Sequence, residues 1–206
     1  MQVIKTFTTK IEKETLFKCI QFADKSYETR IDKYKNRNQT NAKKIKKQIL
    51  CGAISEFGAS DFIKKVVKID VSSPDLSIYK SNKKTYSADL KTRQHKIHVK
   101  SFWDSIYGKE SWIFQNGKEK DCDSIFTNKN KRDDLIIFSQ VMGTISFGIK
   151  VRIYALMKIK TLFEKDLFKE PYSKKMIGIK KAIYLMDLIK LGEHERWLPS
   201  LRYWRL

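Results

Sequence analysis

The amino-acid sequence predicts a mixed α/β protein in which one long helix packs against a sheet. Three observations carry this expectation. A helical stretch without proline runs from about residue 42 to residue 67, β-rich runs lie on the C-terminal side of it, and short polar or glycine-bearing turns join those runs. The order is helix, three strands, a variable insert, two strands and a helix, which suits a layered architecture. Composition agrees: 206 residues with 41% hydrophobic side chains suit one domain with a sizeable core and exclude a disordered or fibrous chain.

Taken in order, a first helix is expected from about Lys10 to Ala23, followed by the polar stretch YKNRNQTNAKKIKK. Residues 1–40 read as a basic helical segment ahead of a domain spanning 41–206. The long helix starts behind Asn41, a good N-cap residue. At 100° per residue Ile45, Ile49, Ala53, Ser60, Ile63 and Val67 share a face, with Glu56 at its centre. Three short strands follow: DLSIYK (75–80), TYSADLKT (85–92) and KIHVKSF (96–102), the last two as an antiparallel hairpin. A polar and aromatic insert separates them from DLIIFSQVM (134–142) and KVRIYALMKI (150–159), which are joined by GTISFG. A helix is expected from Lys175 to Leu191, and the tail ERWLPSLRYWRL packs back or binds a partner.

The charge narrows the function. With 43 Lys and Arg against 23 Asp and Glu the net charge is +20, an excess that opposes compaction and fits a polyanionic partner. Aromatic residues interleaved with the basic ones favour nucleic acid over an anionic membrane surface. The run from Lys33 to Lys47, with Arg37, Lys43, Lys44, Lys46 and Lys47, is either a solvated helix start or an arm that contacts phosphates. Cys19, Cys51 and Cys122 are too scattered for a disulfide framework or a structural zinc site, so a reducing, cytoplasmic setting is expected. The N-terminus lacks the apolar stretch of a signal peptide, and no apolar run approaches the ~20 residues needed to cross a bilayer. There is no GxxxxGK[ST] for a nucleotide-binding loop.

A catalytic constellation emerges from the hairpin. Asp89 and Lys91 point to one side of its first strand; on the second, Ile97 and Val99 share one face, His98 and Lys100 the other. Eight residues separate Asp89 from His98, a length that lets a hairpin bring them close. Glu56 approaches from the helix, where a buried carboxylate must be paired, protonated or bound to a cation. Carboxylates to hold a divalent ion, a third ligand, and a lysine to offset developing charge suit phosphodiester hydrolysis. Ser101 is a candidate phosphate contact, and Asp75 an accessory acid. His95 and His194 read as surface residues; Asp121, Asp123, Asp133 and Asp134 are loop acids without motif support. Trp103, Trp112 and Phe114 could stack on bases, but each reads first as core.

The helix Gly52-Ala53-Ile54-Ser55-Glu56, the strand bearing Asp89 and the following Val99-Lys100 together resemble the PD-(D/E)XK nucleases. The resemblance covers residues 40–160 and extends to phage-type members through Arg37-Asn38-Gln39-Thr40-Asn41. It implies an α/β restriction-endonuclease-like core of order αβββαβ, a mixed sheet flanked by helices. It also implies Mg²⁺-dependent endonucleolytic cleavage of DNA that leaves 5′-phosphate ends, with Asp89 and Glu56 as metal ligands and Lys100 as electrostatic catalyst. The family's second acid is His98 here, so the motif reads D-x8-H-V-K. His98 is then a ligand, which favours Mn²⁺, or Glu56 supplies the missing carboxylate, or the protein binds DNA without cutting it. A double-strand cut implies a homodimer or two successive nicks.

Overall fold

The first strand of the sheet comes from a stretch read in the sequence as the approach to a helix. The structure, a computed structural model, describes residues 6–35, 39–79, 88–103, 110–117 and 122–195. Strand β1 (Phe7–Lys10) runs antiparallel to β6 (Gly148–Lys158), from Phe7 opposite Ile153 to Lys10 opposite Lys150. Helix α1 then spans Lys13–Thr29, later than the expected 10–23, and α2 spans Ile31–Lys35. Strand β1 belongs to the same sheet as the later strands, and helix α1 packs in the same hydrophobic cluster as α3.

Helix α3 (Ala42–Phe62) starts where the sequence predicts, with Asn41 Oδ1 accepting from the Lys44 amide at 2.9 Å. A π-helical turn, Ile63–Val67, extends it, and Lys68 ends it in the left-handed conformation. The helix lies between α1 and the sheet, so burial spreads well beyond the expected stripe: Leu50, Cys51, Ile54 and Ala59 are buried along with Ala53 and Ile63. Small side chains make this two-sided packing close. A Cβ on Gly58 would stand 2.5 Å from Val151 Cβ on β6.

The five-stranded sheet has the order β1-β6-β5-β3-β2. Strands β2 (Leu90–Lys91) and β3 (Lys96–Trp103) form the expected hairpin, with Leu90 opposite Ile97. Strand β3 is parallel to β5 (Leu135–Thr144), which forms an antiparallel hairpin with β6 around the glycine-bearing turn. Every residue of β5 from Leu135 to Val141 is buried because both faces of the sheet are covered. On one face, Ile97, Leu135 and Ile137 pack with α1 and α3. On the other, Ile136 and Phe138 pack with a small second sheet of β4 (Ser111–Gln115) and β7 (Lys180–Tyr184), and with α4 (Ser124–Thr127), α5 (Ile159–Glu164) and α6 (Leu185–Glu195).

Two expectations are corrected. Residues 75–79 form no strand: Asp75 Oδ1 accepts from the Ser77 amide at 2.9 Å, and Ile78 and Tyr79 are exposed. Residues 80–87, which include Tyr86, lie outside the described residues. The expected helix from Lys175 is instead β7 followed by α6, because Lys180–Tyr184 pairs with β4. The insert contains β4 and α4, so the path from β3 to its parallel neighbour β5 runs through strand and short helical turns. Trp112 and Phe114 are fully buried, and Trp112 Nε1 donates to the Ser139 carbonyl at 2.8 Å. Among the described residues no helix is long and apolar enough to cross a membrane.

Candidate active site

The site begins where a strand ends early. Strand β2 pairs only Leu90 and Lys91 with β3, and at the next rung the Asp89 side chain replaces the ladder: its Oδ2 accepts from the Val99 amide at 2.7 Å. A cavity of about 380 Å³ lies at this edge of the sheet and draws on both of its faces. Glu56 reaches it from α3, while His98 and Lys100 alternate away from the α3 core and line it from the other side. Glu56, Asp89, His98 and Lys100 therefore all line one cavity. Asp75, the accessory acid, lines the same cavity.

The crossover from β3 to β5 supplies the partners that sequence reasoning did not assign. Lys100 Nζ donates to Asp123 Oδ2 at 2.9 Å and stands 4.6 Å from the centre of the Phe114 ring. Asp123 Oδ2 also accepts from the Gln115 amide at 3.2 Å, which ties the ion pair to β4. His98 Nε2 lies 3.1 Å from Asp134 Oδ2, with both side chains mostly shielded from solvent. Lys131, which also lines the cavity, donates to Ser124 Oγ at 2.7 Å. Burial pulls its ammonium below the ordinary lysine range, against the opposing charges of Asp134, Asp123 and Asp89. No local spacing pointed to these residues, because they meet β3 only through the crossover.

Burial and close partners compete along the cavity walls. Burial raises the Asp75 carboxyl, but the hydroxyls of Tyr79 and Ser77 and the Ser77 amide outweigh it and leave the group below its usual range. The Cys19 thiol is pushed up to about 12 by burial and by the Glu56 charge, which places Glu56 beside a neutral thiol of α1. Arg30, Lys100 and Lys131 contribute positive charge to the same walls.

Other expected site residues lie elsewhere. Ser101 is on the opposite face of β3 from Lys100, 3.5 Å from Cys51 Sγ under α3, so it does not line the cavity. Lys43, Lys44 and Lys47 are exposed on the first turns of α3, whereas Lys46 pairs with Asp24 at 2.8 Å. Arg37 and Asp121 lie outside the described residues, as does the His194 side chain. His95 sits in the β2–β3 turn, and Asp133 is exposed.

Among the described residues no three His, Cys, Asp or Glu side chains form a ready-made cation cluster. The donor chemistry still fits Mg²⁺, which keeps several waters and is commonly held by one or two carboxylates plus substrate phosphates. Asp89 and Glu56 offer hard oxygen donors in a cavity with room for water and a phosphate. No family model, no curated protein and no solved structure matches the chain.

Proposed function

We propose that this protein is a metal-dependent endodeoxyribonuclease with a restriction-endonuclease-like core, and that it hydrolyses DNA phosphodiester bonds in the cavity at the β2–β3 edge. The observation that carries the reading is the meeting of Glu56, Asp89, His98 and Lys100 in one cavity, from three separate elements. The net charge of +20 supports a polyanionic substrate.

Asp89 and Glu56 would hold the Mg²⁺. When bound, the ion polarises a phosphoryl oxygen and makes water a better nucleophile. Lys100, fixed by Asp123 and by the Phe114 ring, faces the negative charge that builds on the phosphoryl oxygens as water adds. His98, oriented through Nε2 by Asp134, takes the proton of the attacking water on its other ring nitrogen. The new P–O bond forms as the P–O3′ bond breaks. The 3′-oxygen takes up a proton from water, leaving 5′-phosphate and 3′-hydroxyl ends.

A second reading, DNA binding without turnover, rests on His98 standing where the resembling family carries a carboxylate, and on its engagement with Asp134. Incubating supercoiled plasmid with Mg²⁺, Mn²⁺ or EDTA separates the two. Nicking or linearisation that needs a divalent ion and disappears in Lys100→Ala supports the nuclease. Salt-sensitive binding without cutting under any ion leaves the second reading, and absence of binding at low salt removes both.

A further inference from the structure

At the far end of β3 from His98 stands a feature that cleavage chemistry does not use. The β5–β6 hairpin ends in Ile145, Ser146 and Phe147, with Thr144 paired to Gly148 across its base. Phe147 is 94% exposed and Ile145 54%. This tip is built to stand out rather than fold back. Gly143 has φ +88°, and a Cβ there would lie 2.4 Å from the Gly148 carbonyl oxygen; Gly148 has φ +94°. The Phe147 amide donates to Thr144 Oγ1 at 3.3 Å. The root is braced as well, since Trp103 Nε1 donates to the Gly143 carbonyl at 3.2 Å.

The surroundings are cationic. Lys47 Nζ lies 4.9 Å from the centre of the Trp103 ring, which places the first turns of α3 beside the hairpin root. Lys43 and Lys44 are exposed one turn further toward the helix start. On the other side of the root, Lys150 of β6 pairs with Lys10 of β1, and both are exposed. The acids near this root are Glu12, just past β1, and Asp61, which accepts from Thr9 Oγ1 of β1 at 2.6 Å, and Asp104 is next to Trp103 in the sequence. An apolar tip on a hairpin whose root carries lysines on both sides matches a nucleobase stack flanked by phosphates.

We infer that the β5–β6 hairpin is a wedge that inserts Phe147 between bases of a duplex held by the lysines of α3, β1 and β6. This rests on the nucleic-acid part of the proposed function and adds how the duplex is gripped. Apolar wedges of this kind unstack a base step and bend the duplex, which lets it contact more protein surface. Lys100 is level with Phe138 of β5, six residues before Thr144 at the base of the tip, roughly 20 Å at ~3.3 Å per residue. The opened step therefore lies about six base pairs from the cavity, at ~3.4 Å of rise per base pair. A lipid surface is the weaker match, because two apolar side chains bury far less than stable membrane anchoring needs.

The test uses the full chain in EDTA, so that no cleavage intervenes, and a short duplex carrying 2-aminopurine. Wild-type protein should raise the probe's fluorescence severalfold as the step unstacks. Phe147→Ala should abolish that rise and weaken binding about tenfold, the scale of one lost base–aromatic stack. Phe147→Trp should retain both. Phe147 is on the surface, so all variants should keep the wild-type melting temperature. Phe147→Ala that unstacks and binds like wild type overturns the wedge while leaving the nuclease reading in place. Unstacking by a protein that never cuts with Mg²⁺ or Mn²⁺ upholds the wedge and removes the nuclease. Phe147-dependent binding to phosphatidylserine vesicles, with DNA binding indifferent to Phe147, assigns the tip to a membrane and overturns the proposal.

Discussion

Replacing Asp89 separates structure from the proposed chemistry, because its carboxylate both closes the strand edge and lines the cavity. Its Oδ2 accepts from the Val99 amide at 2.7 Å, and it also lines the cavity where a cation would bind. Asp89→Ala leaves the half-buried Val99 amide without this acceptor, a cost of about 1–3 kcal/mol. Strand β2 has only two ladder residues, so the lost rung is a large part of what fastens it to β3. At ~2–4 °C per kcal/mol for a chain of this size, a loss near 2 kcal/mol lowers the melting temperature by roughly 4–8 °C. Asp89→Asn keeps an oxygen acceptor and removes the charge, so its stability should stay within about 1 kcal/mol of wild type. Both variants should lose plasmid cleavage by roughly a hundredfold or more, since both weaken cation binding. Thermal melts and nicking rates on the same preparations read the two effects. If Asp89→Ala melts like wild type, the edge rung carries no stability. If Asp89→Asn cuts at wild-type rate, the carboxylate holds no ion and the site has been misassigned.

Other outcomes follow from the same geometry. Gly58→Ala places a methyl 2.5 Å from Val151 Cβ and should cost about 1–3 kcal/mol, less up to about 1 kcal/mol of gained helix propensity. Urea melts should show partial rescue by Val151→Ala, and a neutral single variant would mean that α3 does not pack this closely on β6. Burial pushes the Cys51 thiol up to about 11 from 9.0, so the unfolded chain ionises first as pH rises. The stability from its neutral form should be intact below about pH 9 and lost toward pH 11, with Cys51→Ala flattening the decline in urea midpoint across that window. Asp134→Ala frees His98 and should cut turnover about 10–100-fold with DNA affinity unchanged, which single-turnover kinetics would show. Replacing Lys43, Lys44 and Lys47 with alanine should reduce the log–log salt slope of DNA binding by ~0.9 for each phosphate no longer neutralised. Lys46→Ala should change it less, because Lys46 already pairs with Asp24.

Elements that carry their own signal were legible from sequence alone. Helix α3 announces itself through an N-cap at Asn41 and a long run that no proline interrupts, and its capping bond depends only on neighbouring residues. The β5–β6 hairpin reads as two apolar runs around a glycine-bearing turn, and the β2–β3 hairpin as alternation across a short polar loop. Hairpin register then brought Asp89 to β3 and set His98 and Lys100 on one face, because alternation along a strand is a local property. Only the tertiary structure decided the rest. Strand β1 has four residues and exists because β6 offers it an edge; β4 and β7 stabilise each other across most of the insert and the C-terminal half. Ser101 shares the strand with Lys100 yet lies under α3, since one step along a strand reverses the face. The side-chain contacts at the site join positions 23 and 36 residues apart through an irregular crossover. Asp123 and Asp134 have no periodicity to betray them, because what places a carboxylate beside Lys100 or His98 is the path of the chain over the sheet.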